Sequence, residues 1–82
     1  MDCDLAQVLR VVAGFVARTR GVSEADVTVL TRLLEAGLID SFGVAELIAE
    51  LEEALGTTLP EGALLPQDFE SPEVLFERLR QL

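Results

Sequence analysis

Few side chains in this chain are able to do chemistry. There is no His, Lys, Tyr or Trp, and only one Cys, Cys3. Without His, neither a Ser-His-Asp relay nor an imidazole metal site can be assembled. Without Lys, there is no Schiff-base nucleophile and no P-loop lysine to grip a phosphate. Acid–base work would fall to carboxylates alone, so self-contained catalysis is not expected, and no catalytic set or metal-ligand set stands out. What remains is a hydroxyl. Ser41 directly follows Asp40 in the run Gly37-Leu-Ile-Asp-Ser-Phe-Gly-Val-Ala-Glu-Leu47, where an apolar stretch gives way to a helical pattern. A serine in the first turn of a helix points its hydroxyl away from the core, and Asp40 ahead of it suits the N-cap. An anion attached there would sit against free N–H groups and the positive end of the helix dipole.

The elements that position Ser41 follow from periodicity. Val44, Leu47, Ile48, Leu51 and Leu55 fall at i, i+3, i+4, i+7 and i+11, and Gly56 closes the pattern, which predicts a helix over 41–55. Leu5, Val8, Leu9, Val12 and Val16 repeat that spacing. They predict a helix over about 4–19, capped by Asp2 or Asp4 and ended at Gly21 after the basic pair Arg18 and Arg20. Ser71-Pro72 is an N-cap and N1 pair opening a last helix over 72–81, with Leu75, Phe76, Leu79 and Leu82 inward. Residues 66–70 are expected to form a single short helical turn. No alternating strand pattern of useful length occurs. The expected fold is all-α, a small four-helix bundle of three principal helices and a short one, in a single domain over residues 1–82. The stretch 20–40 lacks a period and is long for a loop, and Val27, Val29, Leu30, Leu33, Leu34, Leu38 and Ile39 are expected to wrap it onto the core.

The net charge is −9, from six Arg against fifteen Asp and Glu. That disfavours nucleic acid and anionic membrane as partners. Half of the 82 residues are apolar, enough for one modest core, and the longest apolar run, Val11 to Ala17, is too short to span a bilayer. The acidic start is unlike a signal peptide, and a lone Cys fits a reducing compartment, so a cytoplasmic monomer is expected. Cys3 is read as an incidental thiol. The acids are concentrated: residues 33–77 hold eleven and no base. Within the second helix Glu46, Glu50 and Glu53 make an outward stripe at i, i+4, i+7, with Ala45 and Ala49 as low ground beside it. Like charges at that spacing weaken a helix by about 0.2–0.5 kcal/mol per pair. Glu52 and Glu53 also oppose the dipole in the last turn. A face kept at that cost points to a basic partner.

From Asp40-Ser41-Phe42 through Glu46-Leu-Ile-Ala-Glu-Leu-Glu-Glu-Ala-Leu-Gly56, and on through Leu59-Pro60, Asp68-Phe69 and Ser71-Pro-Glu-Val-Leu75, the sequence resembles the acyl carrier and peptidyl carrier protein family. The resemblance covers about residues 5–82. It implies that Ser41 carries a 4′-phosphopantetheine arm through a phosphodiester, with cargo held as a thioester on the terminal thiol. It also implies that Asp40 helps a phosphopantetheinyl transferase and its divalent metal engage the site, and that Glu46, Glu52 and Glu53 dock on basic patches of partners. Phe42 stands where the family usually has Leu, and is shared between packing and partner contact.

Carriers of fatty-acid synthesis usually place an acid two residues after the serine, where this chain has Gly43. The form is more similar to stand-alone aminoacyl carriers, D-alanyl carriers among them, and to discrete carriers of polyketide and nonribosomal peptide pathways. The implied partners are the transferase, an acyltransferase or adenylating enzyme that loads the arm, and a downstream synthase with a basic docking patch. A role in fatty-acid synthesis or D-alanyl transfer is the alternative within the family. An acidic helical interaction module that is never modified is the alternative outside it.

Overall fold

The structure, a computed structural model, describes residues 3–82. Asp2, one of the two candidate caps of the first helix, lies outside the described residues. Three α-helices, α1 (Leu5–Arg20), α2 (Ser41–Leu55) and α3 (Pro72–Arg80), are joined by segments that each hold one 3₁₀ turn, at Glu24–Asp26 and Pro66–Phe69. Among the described residues there is no strand, and the all-α expectation holds. The expected fourth helix is smaller than a helix: residues 66–69 make one 3₁₀ turn. Pro66 brings no N–H, Asp68 Oδ2 accepts from Leu65 N at 2.8 Å, and Ser71-Pro72 at once starts α3.

Each α-helix begins on a side-chain cap. Asp4 Oδ1 accepts from Gln7 N at 2.7 Å, Asp40 Oδ1 from Gly43 N at 2.7 Å, and Ser71 Oγ from Val74 N at 3.2 Å. Gly21 and Gly56 end α1 and α2 in the left-handed region, at φ 71° and 66°, which a side chain would resist. The buried faces are those the spacing marks: Val8, Val12 and Val16 of α1, Val44, Leu47 and Leu51 of α2, and Leu75 and Leu79 of α3. Phe15 joins them. Leu82, expected inward, lies two residues past the end of α3 and is 39% exposed.

Residues 21–40 wrap the core as their apolar content predicts. Val27, Leu33 and Ile39 are buried, and Leu34 and Leu38 pack against the core, while Leu30 is exposed. Main-chain bonds fasten the wrap to the far end of the chain: Leu33 N donates to Glu70 O at 2.8 Å, and Glu73 N to Val29 O at 3.0 Å. The long connection therefore arrives at the head of α2 along a defined path.

Candidate functional site

Ser41 is the first residue of α2 and is exposed. Its hydroxyl has no hydrogen-bond partner among the described residues. Capping is done by its neighbour. Asp40, in extended backbone, turns one carboxylate oxygen to Gly43 N, and its carbonyl accepts from Val44 N at 3.0 Å. The Gly43 N–H, together with the Arg20 guanidinium, holds the Asp40 carboxyl below its ordinary value against a partial desolvation cost. Arg20 Nη2 reaches Asp40 Oδ2 at 3.1 Å, and Arg20 Nε donates to Leu38 O at 3.3 Å.

Gly43 is buried in the first turn because α1 comes close. A Cβ there would stand 3.4 Å from Asp40 Oδ1 and 3.6 Å from the Phe15 ring. An acidic side chain at 43 would bring a second carboxylate up to Asp40. Phe42, in contrast, is 79% exposed beside Ser41, so the core makes little use of it. A cleft of about 230 Å³ opens next to it, lined by Phe15, Thr19 and Arg20 on one side and by Asp40, Phe42 and Glu46 on the other. On the opposite flank of α2 a second hollow of about 230 Å³ lies between Ala45 and Ile48 and the segment carrying Leu59, Pro60 and Leu64.

The acids of α2 do not share one environment. Glu46 and Glu53 are exposed, as are Ala45 and Ala49. Glu50 is half-buried and ion-paired with Arg18 of α1. Glu52 Oε2 accepts from Leu59 N at 2.7 Å, so it secures the turn after α2. α1 and α2 run antiparallel, with Gln7 Nε2 donating to Ala54 O at one end and Arg20 meeting Asp40 at the other. Glu46, Glu50 and Glu53 thus lean towards α1, and Glu53 shares a groove with Arg10 and Arg18. The spacing of the acids gave no sign of Arg18 and Arg20 as partners; their place in the last turn of α1 accounted for them as dipole compensation alone.

The arrangement suits a phosphodiester on the exposed hydroxyl. The Ser41 N–H precedes the first intrahelical bond, and the positive helix end faces the same way. No bulky side chain covers Ser41, and the hydroxyl is not spent on capping. Among the described residues no group of His, Cys, Asp and Glu is placed to hold a metal, and no helix is long and apolar enough to cross a membrane.

No curated protein and no solved structure matches the chain. A family model described as the phosphopantetheine attachment site matches residues 10–79. That span runs from the second turn of α1 to the last turn of α3 and includes Asp40 and Ser41. Domains of this kind bind 4′-phosphopantetheine, serve transferases and synthases, and are in general carriers without catalysis of their own. With nearly all of its helical frame inside the match, the chain belongs to the phosphopantetheine attachment family, that of the acyl and peptidyl carrier proteins.

Proposed function

We propose that the chain is a carrier domain whose arm is attached at Ser41. The observation that carries the reading is the division of labour at the head of α2: Asp40 takes the capping bond, and Ser41 is left exposed with an unengaged hydroxyl. Once modified, the phosphodiester lies against the helix end, while the arm supplies the thiol chemistry for which the protein has no exposed residue. The protein's own part is to hold the attachment point, cap the helix and offer a face to partners. Asp40 and Phe42 border that point, and Ala45, Glu46, Ala49 and Glu53 continue the face, with Glu50 and Glu52 contributing to its charge from half-buried positions. A net charge of −9 favours a monomer that stays dispersed in the cytoplasm and meets basic docking patches.

The cargo in this reading is an aminoacyl or short acyl unit of a natural-product pathway, placed on the arm by an adenylating enzyme or acyltransferase. Two features support a small load. Gly43 stands where fatty-acid carriers usually have an acid, and the hollow beside α2, at about 230 Å³, falls below the roughly 300–1,000 Å³ of ordinary ligand pockets. A short cargo leaves the signals of Leu47 and Ile48 nearly unmoved on loading in an NMR titration. Large shifts there would favour a sequestered chain and a fatty-acid role.

The attachment site is tested by mass. Incubated with coenzyme A, Mg²⁺ and a broad-specificity phosphopantetheinyl transferase, the wild type gains one phosphopantetheinyl group and Ser41→Ala gains none, with helical circular dichroism retained. A modified Ser41→Ala protein would move the site elsewhere, and a wild type that gains no mass would favour an unmodified interaction module.

A further inference from the structure

A base in the last turn of α1 is accounted for by the helix dipole alone. Arg20 does more than that position requires. Nε donates to Leu38 O at 3.3 Å and Nη2 to Asp40 Oδ2 at 3.1 Å, so one planar fork spans the residues that lead the chain into α2. Asp40 uses its other oxygen on Gly43 N at 2.7 Å. The linked series from Leu38 through Arg20 and Asp40 to Gly43 therefore brackets Ser41, with two fixed points before it and one after. A guanidinium is suited to this task because its donors keep a rigid geometry, whereas an ammonium acts as a mobile point charge. Both partners come from the end of the 21–40 connection, and Arg20 ties that end to α1 independently of the apolar contacts of Leu38 and Ile39.

We infer that Arg20 is a positioning residue for loading of the arm: acting through Leu38 and Asp40, it holds the main chain around Ser41 in the arrangement that a phosphopantetheinyl transferase meets. The inference rests on the reading of Ser41 as the acceptor. In that transfer an O–P bond forms at Ser41 as a P–O bond in the pyrophosphate of coenzyme A breaks. Adenosine 3′,5′-bisphosphate departs with the electron pair, and the serine proton passes to a base of the transferase. Arg20 stays charged throughout and exchanges no proton. Its effect is on the fraction of molecules that present Ser41 correctly. Lowering that fraction raises the apparent KM for the carrier in inverse proportion and leaves kcat alone.

The test is transferase kinetics at saturating coenzyme A with the carrier concentration varied, on wild type, Arg20→Ala, Arg20→Lys, Asp40→Asn and the Arg20→Ala/Asp40→Asn double variant. Arg20→Ala is expected to raise KM about two- to fivefold, the scale of an exposed ion pair, with kcat unchanged. Arg20→Lys recovers part of the loss, and the increment from Arg20→Ala is smaller in the Asp40→Asn background. The Gly43 amide signal shifts in Arg20→Ala, reporting the relaxed carboxylate without reference to any enzyme. Should Arg20→Ala lose its helical signal at the assay temperature, Arg20→Gln gives the same readings. An unchanged KM in a folded Arg20 variant overturns the inference, and so does an equal increment in both Asp40 backgrounds. Failure of the attachment reading is seen separately, as mass gain by Ser41→Ala or none by wild type.

Discussion

Asp40 divides its two carboxylate oxygens between α2 and α1, one accepting from Gly43 N and the other from Arg20. The Gly43 N–H is the larger influence holding the carboxyl below its ordinary value, with the Arg20 charge next among those that lower it. Because the folded value is depressed, the stabilisation is present in full above the usual aspartate range and is lost as pH falls through the folded value. The Gly43 amide shift is therefore expected to titrate with a midpoint below that of an unperturbed aspartate. Arg20→Ala should raise the midpoint only in part, since the main-chain bond remains. A midpoint at or above the ordinary value in NMR would mean that the cap is not formed. The aspartate–serine pair was legible in the sequence because capping chemistry is local. Arg20 was not legible, because nothing in a helix-terminal arginine reveals which carbonyl or carboxylate the fold will bring to it.

Within α2 the four glutamates separate into two that face solvent and two with partners of their own. Glu46→Lys with Glu53→Lys should lower kcat/KM with the loading enzyme on the order of tenfold at low salt, with the fold intact, as expected for steering by exposed charge. The loss should shrink as salt rises past about 0.1 M, where the screening length is about 10 Å. Glu50→Lys belongs to another class, because it would set a second cation against Arg18 and lower stability as well as rate. Glu52→Ala removes the acceptor of a partly buried main-chain N–H at Leu59 and should cost about 1–3 kcal/mol in urea unfolding, whatever it does to recognition. A cost near zero would show that water replaces the carboxylate. Periodicity was sufficient to find the helix, its ends and its acidic stripe. It was silent on the other helix, since Arg18 lies 32 residues away in sequence from the Glu50 it meets.

Across the whole molecule, the three long amphipathic patterns fixed the helical class, and the 20-residue stretch without a period was where reading by pattern stopped. Leu33 and Phe69 are wholly buried, yet neither sits in an α-helix. Apolar content marked Leu33 for the core, but not the main-chain bond to Glu70 that fixes its place there. The short turn at Pro66–Phe69 shows the same limit from the other side: composition marked a helical turn, and only the path of the chain into Ser71-Pro72 decided that it stays a single 3₁₀ turn.

The two main-chain bonds between 29–33 and 70–73 carry a consequence for how the molecule moves. They close a ring of about forty residues that contains all of α2 and hold the connection at 29–33 to the head of α3. Opening of 29–33 breaks its bonds to 70–73, so the two segments share their protection. In native-state hydrogen exchange the Leu33 and Glu73 amides should therefore be protected well above ordinary loop amides. Exchange of Leu33 at a loop-like rate would show that the ring is broken in solution. In the proposed reading, the tether swings from a helix head whose upstream connection is anchored at 29–33 to the start of α3.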